Sequence, residues 1–314
     1  LQAECDAILR CNAEDMDAAR GHISDVMLDR LYLDKDRIDA MADGIRATVA
    51  LPDHTGRILA QIDRPNGMKI YKKQVPLGLV AIIYESRPNV TSDAAALTIK
   101  SGNVCMLRSG KEAFRTAKAI VAALKQGIAS AGGDPDIVNI VEDTSHQSAT
   151  EIMQAKGLVD LLIPRGGAGL IRFVRENARI PVIETGAGIV HTYFDADGDL
   201  AKGRAVICNA KTRRVSVCNA LDCLVVHRSR LGELAELCDP MAAERVTVYA
   251  DAEAYAALEG RYPACLLRPA AEEHFGTEFL DYKLAVRTVG SLDEALAHIA
   301  RYSCLLYTSP SPRD

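Results

Sequence analysis

No stretch of this chain is apolar for long enough to cross a bilayer. The longest such run, near Val75 to Tyr84, falls well short of the roughly 20 residues that a spanning helix needs. The opening, Leu1-Gln-Ala-Glu-Cys-Asp6, has neither a basic nor an apolar region of the kind that marks a secretory signal. It also lacks an initiator Met, so a start upstream of Leu1 is expected. Neither sign of charge dominates: 37 basic and 42 acidic residues are mixed throughout, for a net charge of −5. That gives no electrostatic reason to expect nucleic acid or a membrane surface as a partner. The nine Cys are odd in number and contain no CxxC pair, and the seven His form neither HExxH nor HxH. A disulfide framework and a zinc site of ordinary spacing are both missing, so the reading is a reducing cytoplasm and no protein-bound metal. No internal repeat is visible.

What remains is an ordinary globular composition, 48% hydrophobic and 25% charged. At 314 residues the chain exceeds one typical domain, and two are expected. Residues 3–50 place apolar side chains at helical spacing, as in Ile38, Met41, Ile45 and Val49, which predicts two or three amphipathic helices. Arg64-Pro-Asn-Gly67 is a turn beside a strand at 68–71. From Pro76 the pattern alternates. Strands are predicted at 78–84, 103–107, 137–141, 159–163 and 181–183, and helices at 92–100, 112–130, 146–155 and 168–177. This predicts an α/β fold with a doubly wound parallel sheet. A second alternating set follows Cys218: strands at 224–227, 246–249, 264–267 and 284–289, with helices at 231–238, 252–259 and 292–302. The expected domains are 1–205, 206–303 and a tail at 304–314. The boundary near Asp199 to Val206 is soft.

Chemistry concentrates at predicted strand ends. Cys218 sits in a small-residue turn just after Lys211, Arg213 and Arg214. Nearby positive charge favours the thiolate, the nucleophilic form, so Cys218 is a candidate covalent catalyst. A buried structural Cys is the alternative. Tyr84-Glu-Ser-Arg-Pro-Asn-Val90 follows a buried strand and offers Ser86 and Asn89 as donors and Arg87 for a carboxylate or phosphate. An ordinary polar loop is the competing reading. Leu107-Arg-Ser-Gly-Lys-Glu112 brings Arg108, Ser109 and Lys111 to a helix start, where backbone N–H groups can bind phosphate; it is not a Walker A loop. Pro164-Arg-Gly-Gly-Ala-Gly169 is a Gly turn, not GxGxxG, and close packing explains it equally well. Glu184 could serve as an acid or base, and the carboxylates of Glu272-Glu-His-Phe-Gly276 could bind ribose hydroxyls or simply form a polar loop.

Together these segments, in this order, resemble the aldehyde dehydrogenase superfamily. The closer resemblance, over residues 1 to about 303, is to the family of gamma-glutamyl phosphate reductase (glutamate-5-semialdehyde dehydrogenase). It rests on Arg64-Pro-Asn-Gly67, Val75-Pro-Leu-Gly78, Tyr84-Glu-Ser-Arg-Pro-Asn-Val-Thr91, Asn209-Ala-Lys-Thr212, Val217-Cys-Asn-Ala220 and Phe275-Gly-Thr-Glu-Phe-Leu-Asp281. The resemblance implies an aldehyde dehydrogenase-like fold, with a cofactor-binding domain carrying N-terminal helices and an incomplete catalytic domain. It implies NADPH-dependent reduction of L-glutamyl 5-phosphate in proline biosynthesis, through a thioester on Cys218. Ser86 would take an oxyanion-binding place. Arg108, Ser109, Gly166, Gly167, Glu273 and Phe275 would hold NADP, with Phe275 beside the nicotinamide. Arg87, Asn89 and Arg214 would hold the substrate. The implied partners are the small-molecule substrate, glutamate 5-kinase through functional coupling, and further copies in a homo-oligomer.

The chain departs from that family at Val215, where Pro is usual, and at Ile189 and Val190, where Asn-Cys is usual. The largest departure is the Ser-Pro tail after residue 303, where the family continues. The expectation is a truncated chain with a disordered or artefactual tail. Two rival readings are a hydrolytic aldehyde dehydrogenase acting through Glu184 and a nucleotide-binding fragment without catalysis.

Overall fold

The computed structural model describes residues 1–184 and 188–303; the expected tail lies outside them. The chain divides into two compact units, Leu1–Glu184 and Thr185–Asp314. This division falls ahead of the boundary expected at 205. The reason is a strand at His191–Phe194 that the hydrophobic pattern did not reveal. It hydrogen-bonds into the second sheet and carries the following residues with it.

The first unit begins with three helices, α1 (Cys5–Ala19), α2 (Asp25–Leu31) and α3 (Lys35–Ala50). Ser24 and Asp34 start the latter two by accepting from the backbone N–H groups of Met27 and Arg37. Strands β1 (Ile58–Asp63) and β2 (Lys69–Lys73) form an antiparallel hairpin across the predicted turn. The alternating part follows: β3 (Leu79–Tyr84), α4 (Pro88–Lys100), β4 (Val104–Ser109), α5 (Phe114–Ser130), β5 (Val138–Ile140), α6 (His146–Gln154), β6 (Leu161–Arg165) and α7 (Ala168–Asn177). The predicted strand at 181–183 reduces to one bridge between Leu162 and Val182.

The four strands pair in parallel in the order β5-β4-β3-β6. Val80, Ile82 and Tyr84 pack on one side with Leu107 and Val121, while Ala81 and Ile83 pack on the other with Ile152, Met153 and Val174. Cover on both faces explains why β3 reads as an unbroken apolar run. Strands β4 and β5 lie to one side of β3 and β6 to the other. The winding therefore reverses between β3 and β6, and the crevice at the C-terminal strand ends there is where such sheets take ligands.

The second unit contains β7 (His191–Phe194), α8 (Leu200–Thr212), β8 (Cys223–His227), α9 (Leu234–Ala243), β9 (Thr247–Ala250), α10 (Ala252–Leu258), β10 (Leu267–Pro269), β11 (Lys283–Val289) and α11 (Leu292–Tyr302). Its sheet is parallel in the order β10-β9-β11-β8-β7. Leu224, Val226, Leu284 and Val286 face Ile207, Leu237 and Met241; the opposite face carries Cys223, Val225 and Ala285 against Phe275 and Ala295. Helix α8 was not predicted, because Lys202-Gly-Arg204 interrupts its apolar spacing. Asp199 caps it by accepting from Lys202 N at 2.9 Å, and a Cβ on Gly203 would run into the Phe194 ring. No described helix is long and apolar enough to cross a membrane.

A buried carboxylate joins the N-terminal helices to the alternating part. Asp15 on α1 is 1% exposed and accepts from Thr116 N at 2.8 Å and Thr116 Oγ1 at 2.7 Å. Removing it leaves two donors at the start of α5 without partners. Asp15→Ala is therefore expected to lower stability by roughly 1–3 kcal/mol in urea unfolding, and Asp15→Asn by less.

Candidate active site

The turn that carries Cys218 is held from below. After α8 the chain makes an irregular turn and returns as β8, with Leu221 N donating to Ala210 O at 3.0 Å and Ala220 N to Val217 O at 3.1 Å. Val215 and Ser216 are buried under the turn, while Cys218 and Asn219 are exposed on it. Of the three cations expected around the thiol, Arg213 and Arg214 are exposed. Lys211 is not. It is fully buried, with Nζ donating to Leu221 O at 2.9 Å, so its charge supports the return of the chain.

The residue after that carbonyl is Asp222, 2% exposed. Its Oδ1 accepts from Phe279 N at 3.0 Å and its Oδ2 from Val190 N at 3.3 Å. Asp222 thus ties three segments together: the turn that carries Cys218, the residues leading into β7, and the loop that follows Phe275. Burial pushes its carboxyl up to about 6, against the opposing pull of Phe279 N–H, Lys211 and Val190 N–H. Burial pulls Lys211 down to about 8, with Asp222 and Asp281 opposing.

Glu273 is exposed on the 3₁₀ turn at Glu272–Gly276, and its backbone carbonyl accepts from Thr277 Oγ1 at 2.6 Å. Phe275 was expected to offer its ring to a nicotinamide. Here it is 4% exposed and packs in the core beside Cys223, Val225 and Ala285.

In the first unit, three predicted segments meet at the C-terminal sheet edge. Glu85 N donates to Arg165 O at 3.2 Å, and Gly110 N to Tyr84 O at 2.8 Å. Ser86, 3% exposed with φ +26°, donates to Glu112 Oε1 from its backbone N at 2.9 Å and from its hydroxyl at 2.6 Å. Both of its donors are therefore committed to a carboxylate, not open to an oxyanion. Arg87 is half-buried, and Asn89 donates to Asp93 at 3.3 Å. Gly167 N, at the start of α7, donates to Glu85 Oε2 at 2.9 Å, and a Cβ on Gly166 would run into that carboxylate and Leu170.

Arg108 donates to the carbonyls of Thr144 and Ser145 at 2.7 and 2.8 Å. Its Nε is buried without a partner, as is the hydroxyl of Ser109. Two orphaned polar atoms and a turn that excludes a Cβ lie at the ends of β4 and β6, and they suit a phosphorylated ribose ligand. One carboxylate oxygen of Glu184 is also buried without a partner.

No protein-family profile matches the chain. Individual relatives do. A gamma-glutamyl phosphate reductase of Streptococcus suis is 54% identical over 303 residues, covering 96% of this chain and 72% of that protein. The crystal structure of a gamma-glutamyl phosphate reductase from Thermotoga maritima superposes with a TM-score of 0.82 at 36% identity, covering 96% and 72% of the two chains. The chain belongs to the gamma-glutamyl phosphate reductase family. An acetylating aldehyde dehydrogenase from Geobacillus thermoglucosidasius shares the fold, with a TM-score of 0.62 at 18% identity, covering 97% and 74%.

Within this reductase family member, the Lys211–Asp222 pair was not assigned a role from sequence. The bond from Lys211 to Leu221 O, the residue before Asp222, shows only when α8 and β8 are laid side by side. Lys211→Met keeps the aliphatic stem but leaves the buried Leu221 carbonyl without its donor, and is expected to cost roughly 1–3 kcal/mol in thermal or urea unfolding. The pH dependence follows from the raised carboxyl. A carboxyl whose folded value lies above its unfolded value lends stability below pH 4 or so, and loses it as pH rises through about 6. Asp222→Asn cannot titrate, so its stability deficit relative to the parent should narrow between those two values. A deficit that widens there would contradict the assignment.

Proposed function

We propose that this chain carries out the reaction its relatives are named for: NADPH-dependent reduction of L-glutamyl 5-phosphate to L-glutamate 5-semialdehyde and phosphate, a step of proline biosynthesis in the cytoplasm. The observation that carries this reading is the 54% identity over 303 residues, within which an exposed thiol, Cys218, stands on a turn held by buried groups. Cys218 acts as a thiolate on the acyl carbon; the carbon–oxygen bond to phosphate breaks, phosphate leaves with that electron pair, and a thioester forms. Backbone N–H groups around Cys218 hold the oxyanion. Arg87, Asn89 and Arg214 bind the phosphate and carboxylate of the substrate. Ser86 serves this site indirectly, by locking the end of β3 to Glu112.

Arg108, Ser109, Gly166 and Gly167 would hold the ribose and pyrophosphate of the cofactor, and Glu273 its nicotinamide ribose. Support for the fit comes from the orphaned Arg108 Nε and Ser109 hydroxyl. Phe275 supports the Glu273 turn from the core. When bound, the reduced nicotinamide supplies the hydride that releases the aldehyde. An acyl phosphate is labile in water, which favours functional coupling to the glutamate 5-kinase that makes it. A homo-oligomeric assembly belongs to the same reading.

The test runs the reaction backwards, following NADP⁺ reduction with glutamate 5-semialdehyde as a function of phosphate. Turnover is expected to require phosphate. Cys218→Ala should lower it on the order of 10³-fold or more, while NADP(H) binding stays within about twofold. Phosphate-independent turnover would overturn the substrate, and an active Cys218→Ala variant would overturn the thioester.

A further inference from the structure

We propose that His191, Cys223 and His298 form a zinc-binding site in the second unit, separate from the groups assigned to reduction. Their ligand atoms, one from each side chain, all lie within 4.8 Å of one another. Cys223 Sγ is 3.6 Å from His298 Nε2. A thiolate at about 2.3 Å and an imidazole nitrogen at about 2.05 Å from one tetrahedral Zn²⁺ stand about 3.6 Å apart. That pair is already at ligand separation, and the third atom reaches the ion with a shift of about 1 Å.

The backbone sets up this meeting. His191 and Cys223 are direct register partners on the adjacent parallel strands β7 and β8, so their side chains leave the sheet on the same face. Helix α11 packs on that face and brings His298 to it. The His191 and His298 rings meet edge to face with centroids 5.4 Å apart, and Phe275 stands edge-on to His298 at the same separation.

The tautomer of His191 is fixed by its surroundings. Its Nδ1 lies 2.8 Å from Ile189 O, an atom that can only accept, so Nδ1 carries the proton and Nε2 a lone pair. That Nε2 is buried and has no hydrogen-bond partner. An imidazole with one N–H on a backbone carbonyl and its other nitrogen turned inward is the usual orientation of a metal-bound histidine. Cys223 is fully buried and supplies the sulfur. One thiolate and two imidazoles suit zinc rather than magnesium or calcium, which take oxygen ligands.

The nearby cations do not oppose an ion strongly. Arg301 pairs with Glu272 at 2.7 Å and Arg287 with Asp251 at 3.8 Å. His298 also lines a cavity of about 290 Å³ with Glu272, Phe275, Arg287 and Tyr302. Zinc here would join β7, β8 and α11 directly behind the strand that follows the nucleophile turn. Binding displaces the Cys223 thiol proton to solvent, and no redox change accompanies it.

The test uses the whole chain, stripped with a chelator and titrated with Co²⁺ and then Zn²⁺. One Co²⁺ per chain should bind, with a thiolate-to-cobalt charge-transfer band and tetrahedral visible bands that Zn²⁺ abolishes. The band should persist in Cys218→Ala and disappear in Cys223→Ala and in His298→Phe. Zn²⁺ in excess should raise the melting temperature of the parent by several degrees and leave Cys223→Ala unmoved. X-ray absorption at the zinc edge of Cys218→Ala should give one sulfur and two imidazole nitrogens, a readout that does not depend on the other variants folding. Absence of a stoichiometric ion, a band that follows Cys218, or a zinc shell without sulfur would overturn the site.

Discussion

The turn that carries Cys218 depends on a buried ammonium held by a backbone carbonyl. Lys211 has lost essentially all contact with water, and such a charge is costly unless it is hydrogen-bonded and paired. Its bond to Leu221 O fixes the point where the chain returns from Cys218, and Asp222 follows at the next position. The Asp222 carboxylate then holds Val190 N and Phe279 N, two segments distant in sequence. An apolar pair of the same volume could be as stable, but it would give no direction to these three chain segments. The charges specify which loops meet beneath the exposed Cys218.

The sheet edge of the first unit follows the opposite rule. Its donors are satisfied by side chains that can leave. Glu85 takes the Gly167 N–H at the start of α7, and Glu112 takes both donors of Ser86. A helix start favours negative charge, and a carboxylate placed there satisfies it much as a phosphate would. A phosphorylated ligand reaching Gly167 must displace the Glu85 carboxylate or repel it. Arg108 and Ser109 behave differently, since their orphaned atoms have no internal substitute. The edge therefore combines donors covered by the chain with buried donors that the chain leaves unpaired.

Much of this was legible in the sequence where the signal is local. The buried run of β3, the Arg64–Gly67 turn and the strand-end position of Arg108 follow from periodicity and turn chemistry, and the structure places them accordingly. Helix α8 was hidden because Gly203 and its charged neighbours break the apolar spacing, while packing of the Phe194 ring explains the glycine. Phe275 looked like a cofactor contact because its motif marks the segment; burial depends on β8 and β11, which the motif does not contain. Lys211 read as a cation near the thiol because sequence distance carries no direction. In the helix its stem turns inward, leaving the two arginines outside.

The two thiols at Cys218 and Cys223 show what burial decides. Cys218 and Cys223 are close in sequence and both follow the same cations, yet one is exposed and the other completely enclosed. An enclosed thiol cannot meet a substrate carbonyl, whatever its neighbours. Its neighbours here are two imidazoles, one with a lone pair fixed inward by Ile189 O. Spacing rules find metal sites made by one turn or one helix, and this one is made by strand register plus a helix laid across it. The absence of CxxC and HExxH excludes local sites alone, and a parallel sheet can build the same ligand set from residues that no motif connects.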